Sequence, residues 1–401
     1  MRSAAASATF RQVVSSAAAV VILMSSIGTL YSWSIFVAPI EAEFERSRSV
    51  TSIVFAVATT AFTVAMLAGD SITRGGSLRS SAFVACLIGA GGLALSAAAG
   101  SIWLVLLGFG VLFGFSNGLV YGISLQVAQQ ATATQRGLLT GIAVSSYMLG
   151  SAVGTPFLSA SVTHWNYRVT MLILAGYLAV SGALAYLLLR RSPIGSSSSG
   201  QLPVAAEMSP NTRDIVILWT AFLLSSAVGV TTLAHAAPLA ASLDGVGQDL
   251  ALAVVLSALG NGIGRLAGGW LSDRLPARAL LCGAPALSGV ALAAVIAIPT
   301  IDLLLTSLFV VGLGYGCIAG CLPAIVARTY GVRRLASLYG RLFTAWGVAG
   351  LVAPYLGGLS FDRDGNYSTA VAAAALAAIV ASILGAAYKP GSVADPLQSP
   401  K

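Results

Sequence analysis

One charged side chain sits where charge is hardest to keep. Arg265 interrupts the apolar run ALAVVLSALGNGIGRLAGGWLSDR, eight residues before Asp273. At 1.5 Å of rise per helical residue the two are about 12 Å apart. With Asp273 at a membrane surface, Arg265 lies near the middle of the bilayer. An arginine there costs at least about 2.5–3.5 kcal/mol on insertion scales, so it normally faces an aqueous cavity and has a partner. No Asp or Glu falls deep in any apolar run. The partner this leaves is an anion from outside the chain, and the planar fork of a guanidinium suits a carboxylate. Asn261, one helical turn earlier on the same face, offers a neutral hydrogen bond. The competing role for Arg265 is to cap backbone carbonyls inside a helix bundle.

The elements that must position this arginine are membrane spans. Of 401 residues, 57% are hydrophobic and 8% are charged, against about 25% charged in soluble domains. Too few charges exist to cover a water-soluble surface, which excludes a soluble enzyme, a nucleic-acid binder and a disordered chain. A span needs about 20 mostly apolar residues. Twelve such runs occur, at 13–38, 49–69, 80–99, 101–128, 137–161, 168–189, 214–240, 250–271, 279–299, 301–327, 337–360 and 367–388. The first is too long for a secretory leader and ends in an aromatic cluster, so it reads as span 1. The Ser-, Pro- and Gly-rich stretch 190–213 reads as a linker. It divides the chain into an N-terminal half (1–189) and a C-terminal half with a short tail (214–401). Cys86, Cys282, Cys317 and Cys321 all lie in apolar runs and suggest neither disulfides nor a metal cluster. No cofactor is implied.

Charge placement orients the bundle. With the N-terminus in the cytoplasm, 16 of the 21 Lys and Arg residues fall inside. Arg46, Arg48, Arg168 and Arg363 fall outside, and Arg265 remains. This split obeys the positive-inside rule, so the net charge of +8 is first a topology signal. Both termini are expected in the cytoplasm of a multi-pass protein of the cell membrane, touching lipid and binding no nucleic acid.

The loop after span 2, Gly69-Asp70-Ser71-Ile72-Thr73-Arg74, is echoed 200 residues later by Gly269-Trp270-Leu271-Ser272-Asp273-Arg274. Gly69/Gly269, Thr73/Asp273 and Arg74/Arg274 are in register. The second loop, continuing to Arg278, closely resembles the G-x-L-x-D-R-x-x-x-R motif of the major facilitator superfamily, with Pro276 where Gly is usual. The resemblance implies an all-α membrane fold of twelve transmembrane helices in two pseudo-symmetric six-helix halves. It also implies a cytoplasmic gate in which Asp273 pairs with Arg136 and the start of span 5. Arg74, Arg274, Arg278 and Arg341 belong to the same surface, Arg341 facing Asp70. Thr73 cannot form the equivalent ion pair in the first half.

Further segments resemble the oxalate/formate antiporter family and the related monocarboxylate transporters. They are GTLYSWSIF in span 1, GFGVLFGFSNGLVYG in span 4, Arg136-Gly137 before span 5, His235-Ala-Ala-Pro238 in span 7, NGIGR in span 8 and LYGRLFTAWGVAGLVAPYLGG in span 11. The resemblance implies a central chamber in which Arg265 binds a carboxylate and Tyr31, Tyr121 and Tyr147 surround it. Asn117 shares a face with Tyr121. Interface anchoring is the other common role of such tyrosines.

Two departures from the family pattern narrow the substrate. Trp346 stands where oxalate exchange uses a lysine, so one cation is left to balance one carboxylate. Asn261 stands where animal-type monocarboxylate transporters have a titratable Asp. A coupled proton would need another site, and His235 near the outer end of span 7 has a suitable ordinary pKa. A part in the outer gate is its alternative. Cys317 and Cys321, small residues on one face of span 10, are expected to enlarge the chamber or to pack. The expected function is secondary active transport of a small organic anion, a monocarboxylate first, by alternating access, as a symporter or antiporter and as a monomer. A dicarboxylate or formate antiporter, a drug or cation exporter of the same fold, and a non-transporting sensor are the alternatives. A sensor would be expected to carry a soluble domain, and neither tail is long enough to fold as one.

Overall fold

The computed structural model describes the backbone of residues 2–73, 76–131, 136–190 and 211–389. It describes their side chains except those of 2–12, 70, 129–131, 136–140 and 332–337. The linker at 190–213 therefore lies almost wholly outside the described residues. Among the described residues, twelve helices are long and apolar enough to span a membrane. In order they are Val13–Phe44, Arg48–Gly69, Leu78–Ala97, Ile102–Ala128, Gly141–His164, Tyr167–Leu189, Thr212–Ala234, Gln248–Ser272, Ala277–Ala297, Ile301–Tyr330, Leu338–Asp364 and Ser368–Ala387. We number these spans 1 to 12. Short polar connections start several of them. Asn166 accepts a hydrogen bond from Val169 N at 2.9 Å and Asn211 accepts one from Arg213 N at 3.1 Å, each meeting a donor that a helix N-terminus leaves without a partner.

Three departures from regular helix were hidden in the apolar pattern. Span 1 tightens to a 3-10 turn over Thr29–Trp33 and then continues to Phe44, beyond the expected end at 38. Span 4 is π-helical over Leu106–Phe113. Span 7 stops at Ala234, and His235 turns the chain into a short helix, Ala236–Ala241. The apolar run had been read as one span to 240.

Spans 8 and 10 are zipped together by reciprocal glycines. A Cβ on Gly260, Gly264 or Gly268 would fall on the carbonyl oxygen of Phe309, Leu313 or Cys317. In return, a Cβ on Gly312, Gly316 or Gly320 would fall on that of Ser257, Asn261 or Arg265. The backbones of the two helices are thus in direct contact at four-residue intervals on both sides, the small-residue packing expected of membrane helices.

The seam between the halves is built differently. Span 2 meets span 11 and span 5 meets span 8. On the first of these, glycines of span 11 receive hydroxyl-bearing side chains of span 2. Gly347 faces Thr63, Gly350 faces Thr59 and Gly358 faces Ser52. Those hydroxyls are all bonded back to their own helix: Thr63 Oγ1 to Thr59 O at 2.9 Å, Thr59 Oγ1 to Ala56 O at 2.9 Å, and Ser52 Oγ to Arg48 O at 2.7 Å. Side chain on glycine, without a polar tie, is a contact that can part.

Candidate functional site

Midway through the bundle the two halves enclose a cavity of about 20 Å³. Span 8 contributes Arg265, span 10 Tyr315 and Ala319, span 7 Phe222, and span 11 Tyr339, Phe343 and Trp346. The N-terminal half closes over them with Tyr31, Phe62, Tyr121 and Tyr147. Such a volume admits about one water-sized group, so an organic ligand enters only as these rings move apart. Arg265 is the one charged side chain among the described lining residues. Its Nε donates to Asn261 Oδ1 at 2.9 Å, and Asn261 is fully buried. That bond fixes the plane of the guanidinium. The guanidinium also donates to the Tyr121 hydroxyl of the other half, and no carboxylate is among the described lining residues. Its carbon stands 6.0 Å from the centre of the Tyr315 ring, within cation–π range.

The site is polarised. The phenols of Tyr121, Tyr315, Tyr31 and Tyr339 lie within electrostatic reach of Arg265. Away from it, Phe343 stacks on Trp346 at 5.3 Å between ring centres, and Phe62 meets Trp346 at 5.1 Å and Phe343 at 6.4 Å. The indole Nε1 donates to Tyr315 Oη at 2.5 Å. Tyr147 stands edge-on to both Tyr31 and Tyr121, at 5.6 Å from each, and its hydroxyl donates to Asn117 Oδ1 at 3.0 Å.

Of the residues singled out from the sequence, Arg265, Tyr31, Tyr121, Tyr147 and Trp346 come together on the cavity. Asn261 and Asn117 stand behind it and act through Arg265 and Tyr147. Cys317 and Cys321 do not line it. The backbone of Cys317 receives Gly264 and Gly268 of span 8, and Cys321 Sγ turns to Ile318 O at 3.6 Å. Ala319, on the intervening face, takes the lining position. Phe62, Phe222, Tyr315, Tyr339 and Phe343 were not anticipated. The spacing of Tyr339, Phe343 and Trp346, at i, i+4 and i+7, marks one helix face and was the available signal.

The sequence profile of the Major Facilitator Superfamily matches residues 17–247 and, a second time, 217–401. The chain belongs to this superfamily. Members related to it include Monocarboxylate transporter 11 of Homo sapiens, 28% identical over 372 residues covering 88% of this chain and 78% of that one. Monocarboxylate transporter 12 of Rattus norvegicus is 26% identical over 393 residues, covering 88% and 80%. Among solved structures, a D-xylose-proton symporter superposes with a TM-score of 0.74 at 12% identity, covering 95% of this chain and 98% of that one. That likeness concerns the fold. The chain is a multi-pass membrane transporter of this superfamily and not an enzyme.

In this superfamily member, the end of the bundle where span 1 finishes and span 2 begins carries a polar cluster joining the halves. Arg48 grips Glu41 with two nitrogens, Nε to Oε1 at 2.5 Å and NH2 to Oε2 at 2.8 Å. Its third nitrogen donates to Tyr367 Oη of the other half at 2.6 Å, and its carbon lies 4.3 Å over the Phe361 ring. Asp362 accepts from the backbone N–H groups of Arg48 at 2.9 Å and Ser49 at 2.8 Å, capping span 2 from across the seam. Tyr367 Oη and His235 Nδ1 are 3.0 Å apart, and His235 Nε2 lies 2.9 Å from Pro354 O. The neutral Nε2–H tautomer satisfies the whole relay: Arg48 donates to Tyr367, Tyr367 to His235, and His235 to the carbonyl of Pro354.

At the opposite end, Asp273, Arg274, Arg278 and Arg341 are exposed. Arg274 lies 3.9 Å over the Trp270 ring and donates to Trp270 O at 3.0 Å. The side chains of Arg136 and Asp70, and Arg74 as a whole, lie outside the described residues, so the expected pairs Asp273–Arg136 and Asp70–Arg341 do as well.

Proposed function

We propose that this chain is a secondary transporter of small organic anions, monocarboxylates first, working by alternating access with Arg265 as the carboxylate-binding residue. One observation carries the reading. A guanidinium fixed through Nε by Asn261 faces a cavity in which it meets neutral tyrosine hydroxyls and, among the described lining residues, no carboxylate. A buried cation without a counter-charge is costly, and a bound carboxylate meets both the charge and the paired donors. The relatives named as monocarboxylate transporters support the same class. A drug or cation exporter is disfavoured because nothing among the described lining residues attracts a cation. A dicarboxylate is disfavoured because one cation balances one carboxylate.

The cycle follows from the seam. Span 2 and span 11 meet without polar ties at mid-membrane and are latched at one end by Arg48, Asp362 and Tyr367. The basic end, by the positive-inside rule, faces the cytoplasm of a cell-membrane protein, which places this latch outside. With the latch closed, the rings of the N-terminal half cover Arg265 from that side. Binding of the anion shifts the balance between the two openings only through its different affinity for each arrangement. The test is uptake of a radiolabelled short-chain monocarboxylate into proteoliposomes. Arg265→Ala abolishes uptake and ligand-induced thermal stabilisation while the protein stays monodisperse. Undiminished uptake by that variant would sink the assignment.

A further inference from the structure

Trp346 and Tyr315 form a pair whose hydrogen-bond direction is unambiguous. An indole N–H only donates, so at 2.5 Å Tyr315 Oη is the acceptor. Tyr315 must then point its own O–H elsewhere. Beyond Trp346, that hydroxyl meets the Tyr31 phenol, which belongs to the half that must part from span 10 to admit a ligand, and the residue lines the cavity beside Arg265. The same bond uses the only polar hydrogen in the wall of Phe62, Phe343 and Trp346. That wall offers a substrate neither donor nor acceptor.

We infer that Trp346 is a positioning residue that aims the Tyr315 hydroxyl at the substrate's carboxylate, and that the site selects acids whose remainder is apolar. This deepens the carboxylate reading of Arg265 and rests on it. The head group meets Arg265 and Tyr315, both fixed as donors by a neighbour: Arg265 by Asn261, Tyr315 by Trp346. The tail lies against aromatic rings that cannot satisfy a hydroxyl or a second carboxylate. Burying a polar group without a partner is strongly disfavoured, so selection acts chiefly by rejecting polar tails. Gly229 is part of the arrangement, since a Cβ there would fall on the Tyr315 ring. It is the space left by Gly229 that lets this ring sit under the guanidinium.

The decisive comparison is between two acids of equal heavy-atom count, pentanoate and 4-hydroxybutyrate, with succinate as a third probe. Affinities come from thermal stabilisation and titration calorimetry on purified full-length protein in nanodiscs. Pentanoate binds at least about 10-fold more tightly than 4-hydroxybutyrate, the order expected for one buried hydroxyl without a partner, and succinate binds more weakly still. Tyr315→Phe weakens pentanoate about 10-fold, as expected for one lost hydrogen bond to a charged group, and preserves its preference over 4-hydroxybutyrate. Trp346→Phe gives the same loss, and the double variant is no worse than either single one, because both remove one interaction. Equal or tighter binding of 4-hydroxybutyrate to the wild-type protein overturns the inference, and that arm needs no variant. So do additive losses in the double variant, or a Tyr315→Phe protein that binds as the wild type does. Binding of no acid, or acid binding that survives Arg265→Ala, overturns the carboxylate reading itself. Loss of binding in Arg265→Ala with no tail preference in the wild type overturns only the inference.

Discussion

Replacing Arg48 by alanine shifts the balance between the two openings by an amount the latch geometry sets. The guanidinium makes contacts within its own half and contacts across the seam, and only the second kind biases the conformational equilibrium. Its bidentate pair with Glu41, whose side chains are 11% and 16% exposed, joins residues of one half. Losing it destabilises both conformations alike. Across the seam it gives one hydrogen bond from a charged donor to Tyr367 at 2.6 Å and a cation–π contact at 4.3 Å over Phe361. A charged hydrogen bond contributes about 1.5–3 kcal/mol and a partly exposed cation–π contact about 0.5–1 kcal/mol. Water at the opened end recovers part of both, which leaves about 2 kcal/mol, or roughly 30-fold in the equilibrium. A conformer open at this end in a few per cent of molecules would rise to roughly half. Spin labels on the exposed positions Trp165 and Val246, one in each half, report the separation by pulsed electron resonance once the four native cysteines are replaced. A distance distribution unchanged from that of the parent protein would refute the reasoning and remove the latch role from Arg48.

Three further outcomes test other parts of the architecture. Gly316→Ala drives a methyl into the backbone of span 8 at Asn261 and costs about 1–3 kcal/mol, the usual range for overpacking; a melting temperature within a degree of wild type would show that the helices yield freely there. Gly229→Ala displaces the Tyr315 ring and weakens carboxylate binding about 10-fold, the loss of one charged hydrogen bond, seen as a raised KM with folding retained; an unchanged KM counts against the seat assigned to Tyr315. His235→Gln keeps a donor for Pro354 and an acceptor for Tyr367, so uptake persists with the pH profile unaltered. Loss of activation at low pH in that variant would instead place His235 on a proton path.

Much of this architecture was legible because the bilayer leaves few options. Twelve apolar runs became twelve spans, with ends displaced by a few residues. Span 1 ran on to Phe44 because a helix continues past the end of its apolar stretch as long as Glu41 and Glu43 can reach a polar surface. The 3-10 turn at Thr29–Trp33 and the break at His235 went unread, since an apolar sequence looks the same through either backbone geometry. In the site, Arg265 declared itself by its cost. Tyr315, Phe343 and Phe62 did not, because an aromatic residue in an apolar helix has no contrast with its surroundings until a partner helix is placed beside it. For Cys317 and Cys321, small size left both enlarging the chamber and packing open. The glycines of span 8 draw that part of span 10 against its backbone and leave Ala319 facing inward.

The reciprocal glycines of spans 8 and 10 have a consequence for the direction of transport. Arg265 and Tyr315 are mounted on two helices whose backbones touch, so neither can be repositioned without the other. The pair proposed to cradle the head group is thus a single rigid fixture carried by one half of the molecule. Tyr31, Phe62, Tyr121 and Tyr147 are a lid belonging to the other half. What changes as the protein turns from one compartment to the other is the lid, while the fixture keeps its shape. If the proposed function holds, an acid's head group would be held by the same donors whichever door is open, and net flow would follow the gradients on the two sides of the membrane.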